Sequence, residues 1–297
     1  MEQLKNLLYN ILMSCCLIPP KDFHACVQKM REFCLSKGFV EVHPQSALSI
    51  LAACEDPRTV RDFEYGGKKW PLPQTGQMWL EHVLLENPDF PGCFCVSTSY
   101  RDEPNPVEGR HEKIFPMFEF ELKGGMDELI KFERELLEHL GFAKRGKGED
   151  GKECYPKGNY LDVAEGYGVK ELEHEHETKL NEDHGEVFFL KNFPFYTSPF
   201  WNMRADFENQ NSNKIDVIIH GQETIGSAER SCNKDEMRKM YETISDGEYA
   251  QLLYDKFTKE RVGAELDRFL EFDFFQRSGG GIGVTRMIRA MKLSNLI

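Results

Sequence analysis

The sequence predicts an α+β domain, an antiparallel β-sheet flanked by helices, and three observations carry that expectation. Two strand-like runs, Cys93 to Tyr100 and Phe115 to Leu122, are separated by the polar, Pro- and Gly-containing stretch Arg101 to Lys113, which suits an antiparallel pair joined by a long loop. Segments of helical period surround them, among them Lys21 to Gly38, Met126 to Leu140 and Lys234 to Ile244. No internal repeat and no long linker interrupts the 297 residues, and 40% hydrophobic content can supply one sizeable core.

Taken in order, residues 1–20 form a helical extension before a domain of residues 21–297. Its Leu4 to Leu17 stretch is an amphipathic helix, shorter than the roughly 18 to 20 apolar residues a membrane span needs and interrupted by Asn10 and Ser14. It lacks the basic flank and cleavage site of a secretory signal, so no membrane partner is expected. From Lys21, the residues Phe23, Cys26, Val27, Met30, Phe33 and Cys34 recur at helical spacing, and Gly38 supplies the stop. Phe39 to Val42 is a short alternating strand ended by Pro44. Residues 141–158 are charged and Gly-rich, which suits an exposed insertion. Glu186 to Leu190 and Ile215 to His220 read as strands; Asp246 to Phe257 and Gly263 to Phe272 read as helices. The chain closes with Gly279-Gly280-Gly281-Ile282-Gly283 and an amphipathic helix from Val284 to Leu293.

A net charge of −13 repels polyphosphate backbones, which argues against nucleic acid as the main partner unless basic residues gather locally, as in Lys144-Arg145-Gly146-Lys147. The nine cysteines are odd in number and scattered among hydrophobic residues, as buried thiols in a reducing cytoplasm would be. Cys93 and Cys95 form a C-x-C without a second pair at zinc spacing, and His174, His176 and His184 lie in an acidic helical surface.

Three segments carry chemistry. Tyr100-Arg101-Asp102-Glu103, with Arg110-His111 before Phe115 to Glu121, offers what a nucleoside triphosphate needs: cations for phosphates, an acceptor for an amino group and an aromatic plate for the base. The glycines at 279–283 let backbone approach a ligand, and the helix start after them, which carries Arg286, favours anions. Asp216 and Glu223 flank an apolar strand and could together hold Mg²⁺ against phosphates, while Arg230 offers a bidentate fork to a carboxylate.

In this order these segments resemble the motifs of class II aminoacyl-tRNA synthetases, within them the aspartyl, asparaginyl and lysyl subgroup. Lys37 to Pro44 looks like the first motif, which builds a dimer interface, Tyr100 to Glu121 like the second and Gly279 to Arg286 like the third. The resemblance implies the class II antiparallel sheet in a single catalytic domain, with ATP and Mg²⁺ required and a homodimer as the assembly. By position, Arg101 would hold the α-phosphate and the reacting carboxylate, and Glu103 would accept from the adenine amino group. Phe115 and Arg286 would sandwich the base, with Gly281 and Gly283 beneath the nucleotide, and His111 and Arg110 would lie near the outer phosphates. Asp216 and Glu223 would be the Mg²⁺ carboxylates. Gln77, Glu81, Glu119 and Arg230 would bind the amino acid. Leu80 stands where aspartyl relatives carry a lysine, and Glu81 where asparaginyl relatives carry a glutamate facing the side-chain amide.

Only about twenty residues precede the core helix, whereas tRNA-charging members carry an anticodon-reading domain there. The chain is therefore similar to the stand-alone archaeal asparagine synthetases, and the expected reaction is aspartate plus ammonia plus ATP to asparagine through aspartyl-adenylate. A truncated asparaginyl- or aspartyl-tRNA synthetase acting on tRNA or another acceptor, and a non-catalytic regulatory or tRNA-binding paralogue, are the alternatives. Replacing Arg230 by Ala is expected to weaken mainly amino-acid binding.

Overall fold

The structure, a computed structural model, describes residues 18–45, 57–107, 109–147, 151–197 and 199–297. The helix expected over Leu4 to Leu17 lies outside the described residues, as does the middle of the 141–158 insertion.

Helix α1 (Pro20–Ser36) buries Cys26, Val27, Met30, Phe33 and Cys34 of the helical stripe and leaves Phe23 partly buried, and Gly38 leaves the helix at φ +77°. The elements that follow are β1 (Val40–Glu41), the hairpin β2 (Asp62–Tyr65) and β3 (Lys68–Pro71), α2 (Gln77–Glu86), β4 (Gly92–Tyr100), β5 (Ile114–Lys123) and α3 (Met126–Leu140). After α3 come β6 (Gly146–Lys147), β7 (Glu153–Cys154), β8 (Lys157–Asn159), α4 (Tyr160–Tyr167), α5 (His174–His184) and β9 (Val187–Pro194). The chain then forms β10 (Ala205–Asp206), β11 (Asn211–Ile219), β12 (Gln222–Glu229), α6 (Lys234–Thr243), α7 (Glu248–Phe257), α8 (Lys259–Leu270), β13 (Arg277–Gly283) and α9 (Val284–Leu293).

One nine-stranded sheet runs β1-β4-β5-β13-β12-β11-β9-β8, with β10 added beside β11. The expected pair β4 and β5 is antiparallel, with Tyr100 opposite Ile114 and Gly92 opposite Leu122. The sheet is antiparallel through its centre and gains parallel pairings at both edges, β1 with β4 and β8 with β9. Along β5 and β13, Phe118, Phe120 and Ile282 point into a core shared with α1, α3 and α9, where Phe120 and Phe132 rings lie 4.6 Å apart. Alternation then sends Phe115, Met117, Gly281 and Gly283 to the opposite face. A second cluster around Trp201, Tyr241, Tyr249 and Phe269 closes α6, α7 and α8 together by edge-to-face ring contacts.

Several elements differ from expectation. The glycine-rich ending is a strand between β5 and β12, because neighbouring side chains fill the space its missing Cβ atoms leave: a Cβ on Gly280 would come within 2.5 Å of Ser227 Cβ. Strand β12 was not anticipated, since Gln222 to Glu229 holds a single large apolar residue; pairing on both sides, with β11 and β13, holds it extended. Asp216 and Glu223 do not flank one strand. The chain reverses through His220 (φ +47°) and Gly221 (φ +72°), which sets them on adjacent strands. Helix α8 starts earlier than Gly263, at Lys259, where the Thr258 hydroxyl accepts from the Arg261 N–H. The 141–158 segment is not wholly exposed: Phe142 and Tyr155 are buried, and the Tyr155 hydroxyl donates to the Phe142 carbonyl at 2.9 Å.

Within the core, Glu133 of α3 is fully buried, and burial pushes its carboxyl up to about 8. An acid whose pKa is raised in the native state keeps its proton longer folded than unfolded, so its cost to stability is absent near pH 4 and grows as pH rises toward 8. Glu133→Gln is expected to be more stable than the parent at pH 8, by a margin that shrinks by up to about 1.4 kcal/mol per unit as pH falls to 5. Urea unfolding at pH 5, 6.5 and 8 measures it.

Candidate active site

On the sheet face opposite α1 and α3 lies a cavity of about 790 Å³. Its floor comes from β5, β12 and β13, one wall from the loop between β4 and β5, and its closed end from α2. Arg101, Glu103, Arg110, His111, Phe115, Glu223, Gly281, Gly283, Arg286, Gln77, Glu81 and Arg230 all line it. Residues separated by more than 180 positions, Arg101 and Arg286, thus share one cavity.

The β4–β5 loop starts as a continuation of its hairpin, with the Arg101 N–H donating to the Lys113 carbonyl at 2.8 Å. Asp102, facing outward, anchors the loop base through Arg61 at 2.6 Å and Lys113 at 3.1 Å, and these partners hold its carboxyl below the usual range. Arg101 is thereby set with its guanidinium 5.5 Å from the Phe115 ring centre. Glu103 Oε2 and His111 Nδ1 lie 2.8 Å apart and engage each other.

Across the cavity, Arg286 donates to the carbonyls of Glu223 at 2.6 Å and Arg110 at 3.1 Å, which ties the start of α9 to β12 and to the loop. Arg110 donates to the Gly221 carbonyl at 3.1 Å and to Glu177 of α5 at 2.5 Å. Burial raises the Glu177 carboxyl, the nearby Glu223 carboxylate adds to that, and Arg110 opposes both. This end is a lattice of cations and carboxylates of matched number, suited to a polyphosphate with a divalent ion.

Asp216 stands behind the lining, its carboxylate 3.2 Å from Lys214 Nζ. Glu223 Oε1 and Asp216 Oδ1 both come within 4 Å of the point where a Cβ on Gly226 would sit, so the glycine gives two hard oxygen donors a common space. Among the described residues no group of three or more His, Cys, Asp or Glu is arranged for a metal. Glu223 and Asp216 are the residues that would hold a divalent ion, which would supply positive charge to phosphate.

The closed end is more heavily charged than expected. Glu81 is fully buried; its Oε2 accepts from Arg277 Nε at 3.0 Å and Nη2 at 2.7 Å, and its Oε1 from Asn202 Nδ2 at 2.6 Å. Arg230 donates from Nε and Nη2 to Glu121 Oε1 at 2.9 and 2.5 Å and reaches Gln77 Oε1 at 3.4 Å. Burial raises the Glu121 carboxyl, and the Arg230 guanidinium pulls it back toward ionisation. Leu80 packs with Leu84, Cys93 and Cys95, away from the cavity. Glu119 also stands outside the lining. It accepts from the Thr75 hydroxyl, the Gly76 N–H at 2.8 Å and the Ser97 hydroxyl at 2.5 Å, so it fixes the loop that presents Gln77 rather than meeting a ligand itself.

Arg277, Asn202, Glu121 and Glu177 had no expected role. Arg277 had one visible signal, a cation directly before the glycine run, but its partner Glu81 lies 196 residues away and only the closed sheet brings them together.

The profile described as tRNA synthetases class II (D, K and N) matches residues 21–297, and the chain belongs to that family. It is 22% identical to the cytoplasmic asparagine–tRNA ligase of Dictyostelium discoideum over 299 residues, 90% of this chain and 43% of that protein. It is 24% identical to an aspartate–tRNA(Asp/Asn) ligase of Methanopyrus kandleri over 233 residues, 72% of this chain and 53% of that one. The chain thus spans about half the length of these relatives. The asparaginyl-tRNA synthetase of Pyrococcus horikoshii, solved with asparaginyl-adenylate, superposes with a TM-score of 0.71 at 21% identity, covering 91% of this chain and 64% of that one. The sheet and helices described above are the class II catalytic fold. No helix among the described residues is long and apolar enough to cross a membrane.

The geometry changes one expectation about mutants. Arg230 is 3% exposed and paired with a fully buried carboxylate, so Arg230→Ala strands Glu121 inside the protein. It is expected to lower stability by about 3–5 kcal/mol, whereas Arg101→Ala, on the loop, is expected to leave the melting temperature nearly unchanged. Thermal denaturation of the two variants checks the contrast.

Proposed function

We propose that this protein uses ATP to activate aspartate as an acyl-adenylate and passes the acyl group to ammonia, giving asparagine, AMP and pyrophosphate. The observation that carries the reading is the convergence of Arg101, Phe115, Glu223 and Arg286 on the cavity that Arg230 enters from its closed end. In this reading Phe115 and Arg286 would hold the base between them, and Arg101 would meet the reacting carboxylate and the α-phosphate.

In the first step a carboxylate oxygen attacks the α-phosphorus, the bond to the β-phosphate oxygen breaks and pyrophosphate leaves. In the second, ammonia attacks the acyl carbon, AMP leaves with the bonding electrons, and a proton is lost from nitrogen. No protein nucleophile is needed; the protein aligns the reactants and stabilises charge that grows at the phosphorus oxygens. Mg²⁺, held by Glu223 and Asp216, would neutralise phosphate charge. Because the product amide is on the side chain, the side-chain carboxylate is the one activated, and the α-carboxylate then falls to Arg230. The homodimer and the cytoplasmic location expected from sequence belong to the same proposal.

Charging of tRNA by α-carboxylate activation is the second reading, favoured by the names of the relatives, which are tRNA ligases. Aspartate, ATP and ammonium in one reaction, and aspartate or asparagine with ATP and tRNA in others, separate the two. The proposal expects free asparagine and AMP in the first and no aminoacyl-tRNA in the others; the opposite pattern overturns it. Arg101→Ala is expected to lower aspartate-dependent pyrophosphate exchange by on the order of 10²-fold or more, through loss of transition-state charge stabilisation.

A further inference from the structure

At the closed end of the cavity, two carboxylates and two guanidinium groups form one buried cluster. Glu81, Glu121 and Arg277 are fully buried and Arg230 nearly so. Arg230 and Arg277 are also joined through the backbone, the Arg230 N–H donating to the Arg277 carbonyl at 2.9 Å. Arg277 is held on every side: Nε and Nη2 on Glu81 Oε2, Nη1 on the Ser231 carbonyl at 3.2 Å, and its guanidinium carbon 4.7 Å from the Phe274 ring centre. It does not line the cavity.

Glu121 Oε2 has no hydrogen-bond partner but is buried outside the lining, so a ligand at this end meets the Arg230 guanidinium first. The Arg230 hydrogen bonds use Nε and Nη2, which leaves Nη1 to the cavity. Glu81 lines the cavity but is largely spent as an acceptor: two Arg277 donors occupy Oε2, Asn202 takes one site on Oε1, and Arg230 Nε stands 3.7 Å from that oxygen. A carboxylate offers acceptors only, whereas an amide must also place an NH₂ against an acceptor. Charge points the same way. Glu81 faces Arg277 and Glu121 faces Arg230, so an entering carboxylate meets Arg230 with the Glu81 carboxylate already compensated behind the wall. Without Arg277 the Glu81 carboxylate would lose its guanidinium partner, which sets an uncompensated anion against an entering carboxylate and leaves Glu81 open to an amide.

We infer that Arg277 sets amino-acid specificity from behind the cavity wall: by occupying and neutralising Glu81, it makes the closed end read a carboxylate, so that aspartate is accepted and a substrate with an amide at that end is refused. Arg277 is a positioning residue, acting through Glu81. The inference rests on the proposed amino-acid activation. It holds for either orientation of aspartate, which has a carboxylate at both ends, whereas activation of asparagine at its α-carboxylate must put its amide beside Arg230.

The test is pyrophosphate exchange with aspartate and with asparagine, in the wild type, Arg277→Gln and Arg277→Lys. The wild type is expected to exchange with aspartate in preference. Arg277→Gln, which keeps a polar contact to Glu81 but no charge, is expected to shift the ratio of the two kcat/KM values toward asparagine by about tenfold or more, the decade that roughly 1.4 kcal/mol represents. The KM for ATP should stay unchanged, and Arg277→Lys should retain the aspartate preference. Equal loss with both amino acids in Arg277→Gln, or loss of preference in Arg277→Lys as complete as in Arg277→Gln, overturns the inference and leaves the proposed function standing. A wild type that exchanges with neither amino acid overturns that function and the inference with it. If Arg277→Gln does not fold, sulfamoyl-adenosine analogues of the two α-adenylates decide on the wild type. The aspartyl analogue is expected to bind more tightly; an asparaginyl analogue that binds as well or better overturns the inference.

Discussion

Where a side chain at position 279 would stand, the fold places the carboxylate of Glu121, whose carbon would come within 2.2 Å of an added Cβ. That exclusion organises much of the site. With glycine in the central strand β13, Glu121 can lie flat against the sheet, take the Arg230 guanidinium and hold it at the cavity's closed end. Gly281 does the same for the floor, since a Cβ there would come within 2.7 Å of Met117 Cε and 3.1 Å of Gln77 Nε2. The glycines thus make room inside the sheet for buried charge as much as they let a ligand approach backbone.

Burying that much charge is costly unless every member is paired, and the pairing explains the order of the closed end. Arg230 answers Glu121, Arg277 answers Glu81, and Asn202 adds a neutral donor. A second set of charges lies at the other end, where Arg110, Glu177, Glu223 and Arg286 link α5, β12, α9 and the β4–β5 loop. Arg101 and Phe115 line the same cavity, and in the proposed reaction Arg101 is the group that would meet the carboxylate and the phosphate. The protein's contribution to the proposed chemistry is a preorganised field rather than a reactive side chain.

Much of the cavity lining could be read from residue types and motif order. Arg101, Glu103, His111 and Phe115 sit on one hairpin and its loop, so sequence neighbourhood already implied spatial neighbourhood. Arg286 follows from a helix start beside a glycine run. Where alternation or helical period was strong, element ends were close: α3 runs from Met126 to Leu140 as its apolar stripe predicts. Legibility failed where side chains give no periodic signal. Strand β12 and the glycine strand β13 are held extended by neighbours on both sides, a cause absent from any local window. Glu119 looked like a ligand group from its place in the motif, yet its oxygens are taken by Thr75, Gly76 and Ser97.

The sequence by itself determined the fold class, the family and the set of charged and aromatic residues available for nucleotide chemistry, because these follow from local pattern and motif order. Only the tertiary structure decided which charges face each other. Glu81 meets Arg277 across 196 residues and Glu121 meets Arg230 across 109, pairings that depend on strand order and on missing Cβ atoms in β13. Electrostatic partnership falls with distance in space, and distance in space between remote residues is set when the sheet closes.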